Sequence, residues 1–264
     1  MSSKVKSAEL YRYINDLFPQ ASAGEWDKIG FQIESVYDLP SQNEIAGVVI
    51  CLDITNEVVD FAIKKHANLI ISRHPFIFDN LDEEMINPSK KRNLDLLVKN
   101  EIQVFSIHSN YDASKKRALF AMLEEEFNVK DIKRKGELKE TLRVNLYDDI
   151  TKKEILDKFK KAFKCKKALV SKHTNLEDTA NSFLICTGAG GDYIVANGIT
   201  KKLFISGELK WHQWVYAKNN DVDVFAVGHY MENMFIYDME NKLNKTFKDL
   251  AVYPFDIENL FEIK

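Results

Sequence analysis

IAGVVICLDITNEVVDFAIKKHANLIISRHP, residues 45–75, reads as one strand–helix–strand unit. Val48 to Leu52 is a continuous apolar, β-branched run, the pattern of a strand buried on both faces. Asn56 to Lys65 follows with Val58, Val59, Ala62 and Ile63 spaced to cover one side of a helix, and Thr55 stands where an N-cap belongs. Asn68 to Ser72 is the next strand.

Working outward, Ser89 to Lys99 reads as a second helix and Gln103 to Ile107 as a third strand, so two βαβ-like units run in succession. A helix from about Ala113 to Phe127 closes the first half. The charged segment DIKRKGELKE, residues 131–140, breaks the periodicity and is taken as a boundary. The second half repeats the theme. Strands are expected near Leu142 to Leu146, Ala168 to Ser171, Phe183 to Thr187, Leu203 to Ser206 and Val222 to Val227, and helices at Lys152 to Phe163, Trp211 to Lys218 and Glu232 to Leu243. The tail AVYPFDIENLFEIK is apolar enough to return as an edge strand or packed extension. The pattern is that of an α/β protein with a largely parallel sheet covered by helices.

The chain has 264 residues, 45% hydrophobic and 29% charged, enough for one large core or two medium ones. Its net charge of -3 comes from 37 basic and 40 acidic residues mixed along the chain, so nucleic acid and anionic membranes are disfavoured as partners. Cys51, Cys165 and Cys186 form no CxxC pair, which fits a reducing compartment. The N-terminus runs directly into an amphipathic pattern without a signal peptide, and the longest apolar stretches fall far short of the roughly 20 residues of a membrane helix. A soluble, cytoplasmic protein is expected.

Sites in such sheets form where loops leave the carboxyl ends of the strands. Three of the six histidines stand there: His74 in SRHP, His108 in HSNYD and His229 in GHYME. Imidazoles with carboxylates are ligands for Zn, Mn, Fe or Ni, and the absence of nearby cysteine argues against a Cys-rich structural zinc site. His229 and Glu232 are three apart at a helix start and can face the same way. A lone histidine is more often a capping or surface residue, and His66 and His173 are read so. Glu208 and His212, expected on one helical face beyond a strand, are candidates for acid–base work or for a cap. TGAGGDY, residues 187–193, matches neither phosphate-binding fingerprint and is read as a tight turn. In EWDKIGFQ, residues 25–32, either Asp27 or Gln32 faces the cleft or a buried Trp26 anchors the first helix.

EWDKIGFQ, ICLDIT, ISRHPFIF, SIHSNYDAS, CTGAGGD, ISGELKWH and VGHYMEN stand in the order found in the GTP cyclohydrolase I type 2 homologues, the NIF-three-like family, which this chain resembles over nearly its whole length. The resemblance implies two related, intertwined three-layer α/β lobes with mixed, largely parallel sheets, 1–128 with 221–264 forming the first and 129–220 the second. It also implies a homohexameric toroid, a trimer of dimers, with a dinuclear metal site. His74, Asp112 and His229 match ligand positions and His108 a histidine close to the metals. The chain departs from the pattern at Arg73, where relatives carry a second histidine, and at Asn233, where they carry a bridging glutamate; Glu232 lies one residue earlier. Arg73 adds a permanent cation that repels a neighbouring divalent ion. One ion or none per chain is therefore expected, through His74 and Asp112 with Glu232 assisting. The functions implied are a metal-dependent hydrolase acting on a nucleotide or heterocycle or, alternatively, a non-catalytic ring binding a metal, a nucleotide or a protein.

Overall fold

The 45–75 stretch folds as its pattern requires. Gly47–Cys51 and Leu69–Ser72 are parallel neighbours, joined by the helix Asn56–Lys65. Thr55 caps that helix by accepting the Val58 N–H at 3.3 Å. His66 ends it in the left-handed conformation, φ 53°, behind Lys64 and Lys65.

In the computed structural model, which describes residues 5–33, 43–257 and 260, the chain divides into two compact units. One is Met1–Arg117 with Phe235–Ile257, the other Ala118–Met234 with Glu258–Lys264. Both are built on mixed sheets covered by helices, so the α/β class holds.

The first unit's main sheet has the order Ala251–Pro254, Gly47–Cys51, Leu69–Ser72, Gln103–Ser106, Gly30–Phe31, and only the last pairing is antiparallel. The three central strands are buried at every position. Alternate side chains serve opposite faces. Val48, Ile50, Leu69 and Ile71 pack with Leu10 and Ile14 of the Ser7–Leu17 helix and with Phe235, Met239 and Leu243 of the Met234–Thr246 helix. Val49, Ile70 and Val104 pack instead with Val58, Val59 and Ala62, and with Leu94 and Leu97 of the Pro88–Lys99 helix. Each such buried side chain contributes about 1.5–3 kcal/mol, which holds the three layers together. The tail supplies the edge strand Ala251–Pro254; residues 258–259 and 261–264 lie outside the described residues.

The second unit's sheet has the order Val129–Lys135, Thr141–Thr151, Thr179–Cys186, Leu203–Ser206, Asp223–Ala226, Leu169–Val170. Only its two central pairings, Thr179–Cys186 with Leu203–Ser206 and the latter with Asp223–Ala226, are parallel. The largely parallel expectation thus holds for the first sheet and not for the second. Antiparallel strands flank that parallel centre on both sides, and the 131–140 segment is no boundary: Val129–Lys135 forms an antiparallel hairpin with Thr141–Thr151. An edge strand solvated along its free side tolerates Lys and Arg, and in sequence that looks like a loop.

Two further expectations need correction. The single helix from Ala113 to Phe127 is two, Ser109–Ala113 and Ala118–Glu126, interrupted at the extended Ser114. The division between units falls in that gap, so 118–128 and 221–234 belong to the second unit and not, as expected, to the first. Asp223–Ala226 has to lie there, because its hydrogen-bonding neighbours are Leu203–Ser206 and Leu169–Val170. No helix among the described residues is long and apolar enough to cross a membrane. All three cysteines are buried free thiols.

Candidate metal centre

In the first unit the register aligns Cys51, Ser72 and Ser106 across three parallel strands. Two residues beyond these positions stand Asp53, His74 and His108. The backbone is carried past the strand ends by bonds from Arg73 N to Cys51 O and from His74 N to Leu52 O, both 2.9 Å. The buried hydroxyls of Ser72 and Ser106 lie 2.7 Å apart and donate to the His74 carbonyl at 2.8 and 3.3 Å. His74 is therefore fixed by its main chain before its ring is considered.

The ring is oriented by Asp53, whose Oδ1 lies 2.9 Å from His74 Nδ1. An ionised carboxylate only accepts, so Nδ1 carries the proton and Nε2 presents its lone pair, the arrangement of a metal-ligating histidine backed by an acid. His108 has the same design. Its Nδ1 lies 2.9 Å from Asp27 Oδ1, and Asp27 Oδ2 accepts from the Ser109 N–H and hydroxyl. Burial alone would raise the Asp27 carboxyl, but the bonds from His108 and Ser109 outweigh it and bring its pKa down from 3.8 to about 2. The two imidazoles meet edge to face with centroids 5.6 Å apart.

Arg73, 1% exposed, directs its guanidinium to Asp112 Oδ2 at 2.5 Å and lies 5.5 Å from the Tyr111 ring centre. The buried Arg117 takes Asp112 Oδ1 at 3.0 Å. Asp112, expected as a ligand, thus has one arginine on each oxygen. Two cations share one carboxylate.

In the second unit Cys186, Ser206 and Ala226 share a register, and two residues beyond them stand Gly188, Glu208 and Gly228. Gly188 is left-handed, φ +65°, and a Cβ there would lie 2.8 Å from Glu232 Oε1. A Cβ on Gly207 would meet the Gly188 carbonyl at 2.7 Å. These close approaches seat His229. Its Nδ1 lies 3.0 Å from Glu208 Oε1 and its Nε2 3.3 Å from Glu232 Oε2. His229–Asn233 is a 3₁₀ turn, in which residues i and i+3 eclipse. That geometry brings Glu232, buried at 5% exposure, onto the histidine's side.

His212 is exposed in the first turn of Trp211–Asn219, whereas Glu208 lies in the loop before it and serves His229. The expected helical pairing of Glu208 with His212 is therefore replaced by a pairing across 21 residues of sequence. Trp26, offered as a buried anchor, is 57% exposed, and Asp27 beside it is the residue that reaches a histidine. Gln32 is buried on backbone partners, accepting the Ile77 N–H and donating to Lys28 and Gly30 carbonyls. The 187–193 segment is a turn whose Gly190 N–H is spent on Ser206 Oγ at 3.0 Å. No sequence motif singles out Arg117. Asp53 was findable, since it stands at the same offset past its strand as His74 and His108.

Among the described residues, His74 in the first unit and His229 with Glu232 in the second are of residue types able to ligate a metal ion; Asp112 is not in that group. Two imidazoles and a carboxylate are the donor chemistry of a Zn, Fe, Mn or Ni site, and the residues present fit such an ion.

The fold and site define a two-sheet α/β protein whose strand ends carry histidine–carboxylate pairs. The family model described as Duf34/NIF3 (NGG1p interacting factor 3) matches residues 5–259, and the chain belongs to that family. It is 30% identical over 254 residues to the GTP cyclohydrolase 1 type 2 homolog of Mycoplasmopsis pulmonis (strain UAB CTIP), covering 94% of this chain and 97% of the relative. The Bacillus cereus protein related to NIF3 superposes with a TM-score of 0.82 at 16% identity, covering 100% of both chains. Reduced HcgD from Methanocaldococcus jannaschii does so with 0.81 at 24% identity, over 97% of this chain and 100% of that one.

Proposed function

We propose that this protein binds one divalent metal ion per chain through His74, His229 and Glu232 and uses it in the hydrolysis of a nucleotide or related heterocycle. The observation that carries the reading is that both histidines have Nδ1 on a carboxylate, Asp53 for His74 and Glu208 for His229. Such backing fixes the tautomer that directs Nε2 at an ion. A divalent ion held by these residues would supply Lewis acidity. The remaining parts are the chain's own: Glu232 contributes negative charge, Asp53 and Glu208 hold the rings still, and Arg73, at the position where the resembled pattern carries a second histidine, is paired with Asp112. The GTP cyclohydrolase name of the relatives supports a purine nucleotide as the first substrate to test.

Elemental analysis of protein purified without chelator is expected to give about one equivalent per chain, lost in His74→Ala and Glu232→Ala. Incubation with GTP and each of Zn, Mn, Fe and Ni, followed by product chromatography, tests turnover. Two equivalents of metal per chain would contradict the single-ion reading.

The buried Arg73–Asp112 pair favours a second reading, a ring that binds metal, nucleotide or protein without catalysis. Metal retention with no turnover on any of the four ions selects it. Either reading is proposed for a homohexamer assembled as a trimer of dimers, which native mass measurement checks.

A further inference from the structure

Trp26 is an exposed aromatic on a firmly bonded turn. It is 57% exposed, yet the residue after it, Asp27, is clamped by His108 and Ser109. The turn is closed by Asp27 N donating to Gly24 O and by Gly24 N donating to Ser109 Oγ, both 3.0 Å. Phe78, 38% exposed, is pinned in a similar way, because Glu84 Oε1 accepts the N–H groups of Phe78 and Asp79 at 2.9 and 3.2 Å. The two rings lie 6.1 Å apart at 51°, and Trp26 meets the His108 ring at 5.9 Å. His108 in turn touches His74.

We propose that Trp26, flanked by Phe78, is a stacking platform that holds a planar heteroaromatic ring, of the nucleobase class, beside His108 and His74. A rigid indole face left in water loses hydration when a flat ring covers it, and stacking of this kind tolerates different bases because each has a π-face. The polar edge of the bound ring then faces the imidazoles. The inference rests on the proposed hydrolase reading for the ring's orientation, but the platform is testable without metal.

The probes are guanosine and adenosine, with ribose 5-phosphate as the ligand that lacks a base. Equilibrium dialysis of metal-free protein should show saturable binding of both nucleosides and none of ribose 5-phosphate. Trp26→Ala should weaken nucleoside binding by about tenfold or more, Trp26→Phe should restore most of it, and metal content should be unchanged in both variants. Equal nucleoside affinity in Trp26→Ala, or no saturable binding to the wild type, overturns the platform. Wild-type protein that takes up no divalent ion on re-addition of Zn, Mn, Fe or Ni, with nucleoside binding intact, overturns the metal reading instead. Ribose 5-phosphate competing as well as guanosine assigns recognition to the sugar phosphate and also refutes the platform.

Discussion

The two units run the same three-strand motif and then diverge within two residues. Cys51, Ser72 and Ser106 in the first unit correspond in register to Cys186, Ser206 and Ala226 in the second. At the next offset the first unit has Asp53, His74 and His108, while the second has Gly188, Glu208 and Gly228. One strand end therefore presents side chains directly. The other presents backbone, and its imidazole arrives one residue later, at His229, after Gly228 has turned the chain at φ +95°. The difference teaches that a parallel sheet fixes where a loop begins, whereas glycine or its absence decides which atoms occupy the space beyond.

The largest effect that separates the units is expected at Asp112. Asp112→Ala leaves the buried Arg73 and Arg117 without the carboxylate they share, and uncovering a buried cation costs about 3–5 kcal/mol. Urea unfolding should show that loss, and hydrogen exchange should show amide protection falling in the 69–106 strands while the 179–226 strands keep theirs. Equal loss in both would mean that the units unfold as one.

A smaller effect tests whether the two histidine–acid pairs are equivalent. Asp53→Asn and Glu208→Gln each remove the negative charge on an Nδ1 and keep the volume. Each is expected to weaken metal affinity about 10–100-fold. A change in only one of them would show that the matching offsets conceal unequal roles.

The smallest effect concerns Asp27, whose counterpart the second unit lacks. Its pKa in the folded protein is depressed from 3.8 to about 2. The associated stability is thus fully present above pH 3.8 and is lost as the pH falls through about 2; its size is roughly 1 kcal/mol. Acid unfolding of Asp27→Asn should show a correspondingly flatter dependence between pH 4 and 2, and an unchanged slope would count against the His108–Asp27 pairing.

Much of this was visible in the sequence where periodicity and burial agree. The strands and the two longer helices of residues 45–107 read correctly because the strands are buried on both faces and the helices are amphipathic, while the four-residue helix Leu81–Glu84 is too short to show a period. The Val129–Lys135 strand escaped because an edge strand with alternating exposure and four cationic side chains resembles a loop. Glu208 was assigned to the wrong histidine because four residues of spacing suggests a helical turn, and the helix begins only at Trp211. Asp27 and His108 are 81 residues apart, a separation about which local pattern says nothing.

The sequence by itself determined the family, through the resemblance of its motifs in their order, and, through hydrophobic patterning and short-range order, the strand–helix alternation of the first unit and the placing of His74, His108 and His229 at strand ends. The tertiary structure alone decided the other partners: Asp53 for His74, Asp27 for His108, Glu208 for His229, and two arginines for Asp112. Pairing depends on strand register and on the conformation of a turn, and a single residue of slip, or a 3₁₀ turn in place of an α turn, hands a histidine to a different acid.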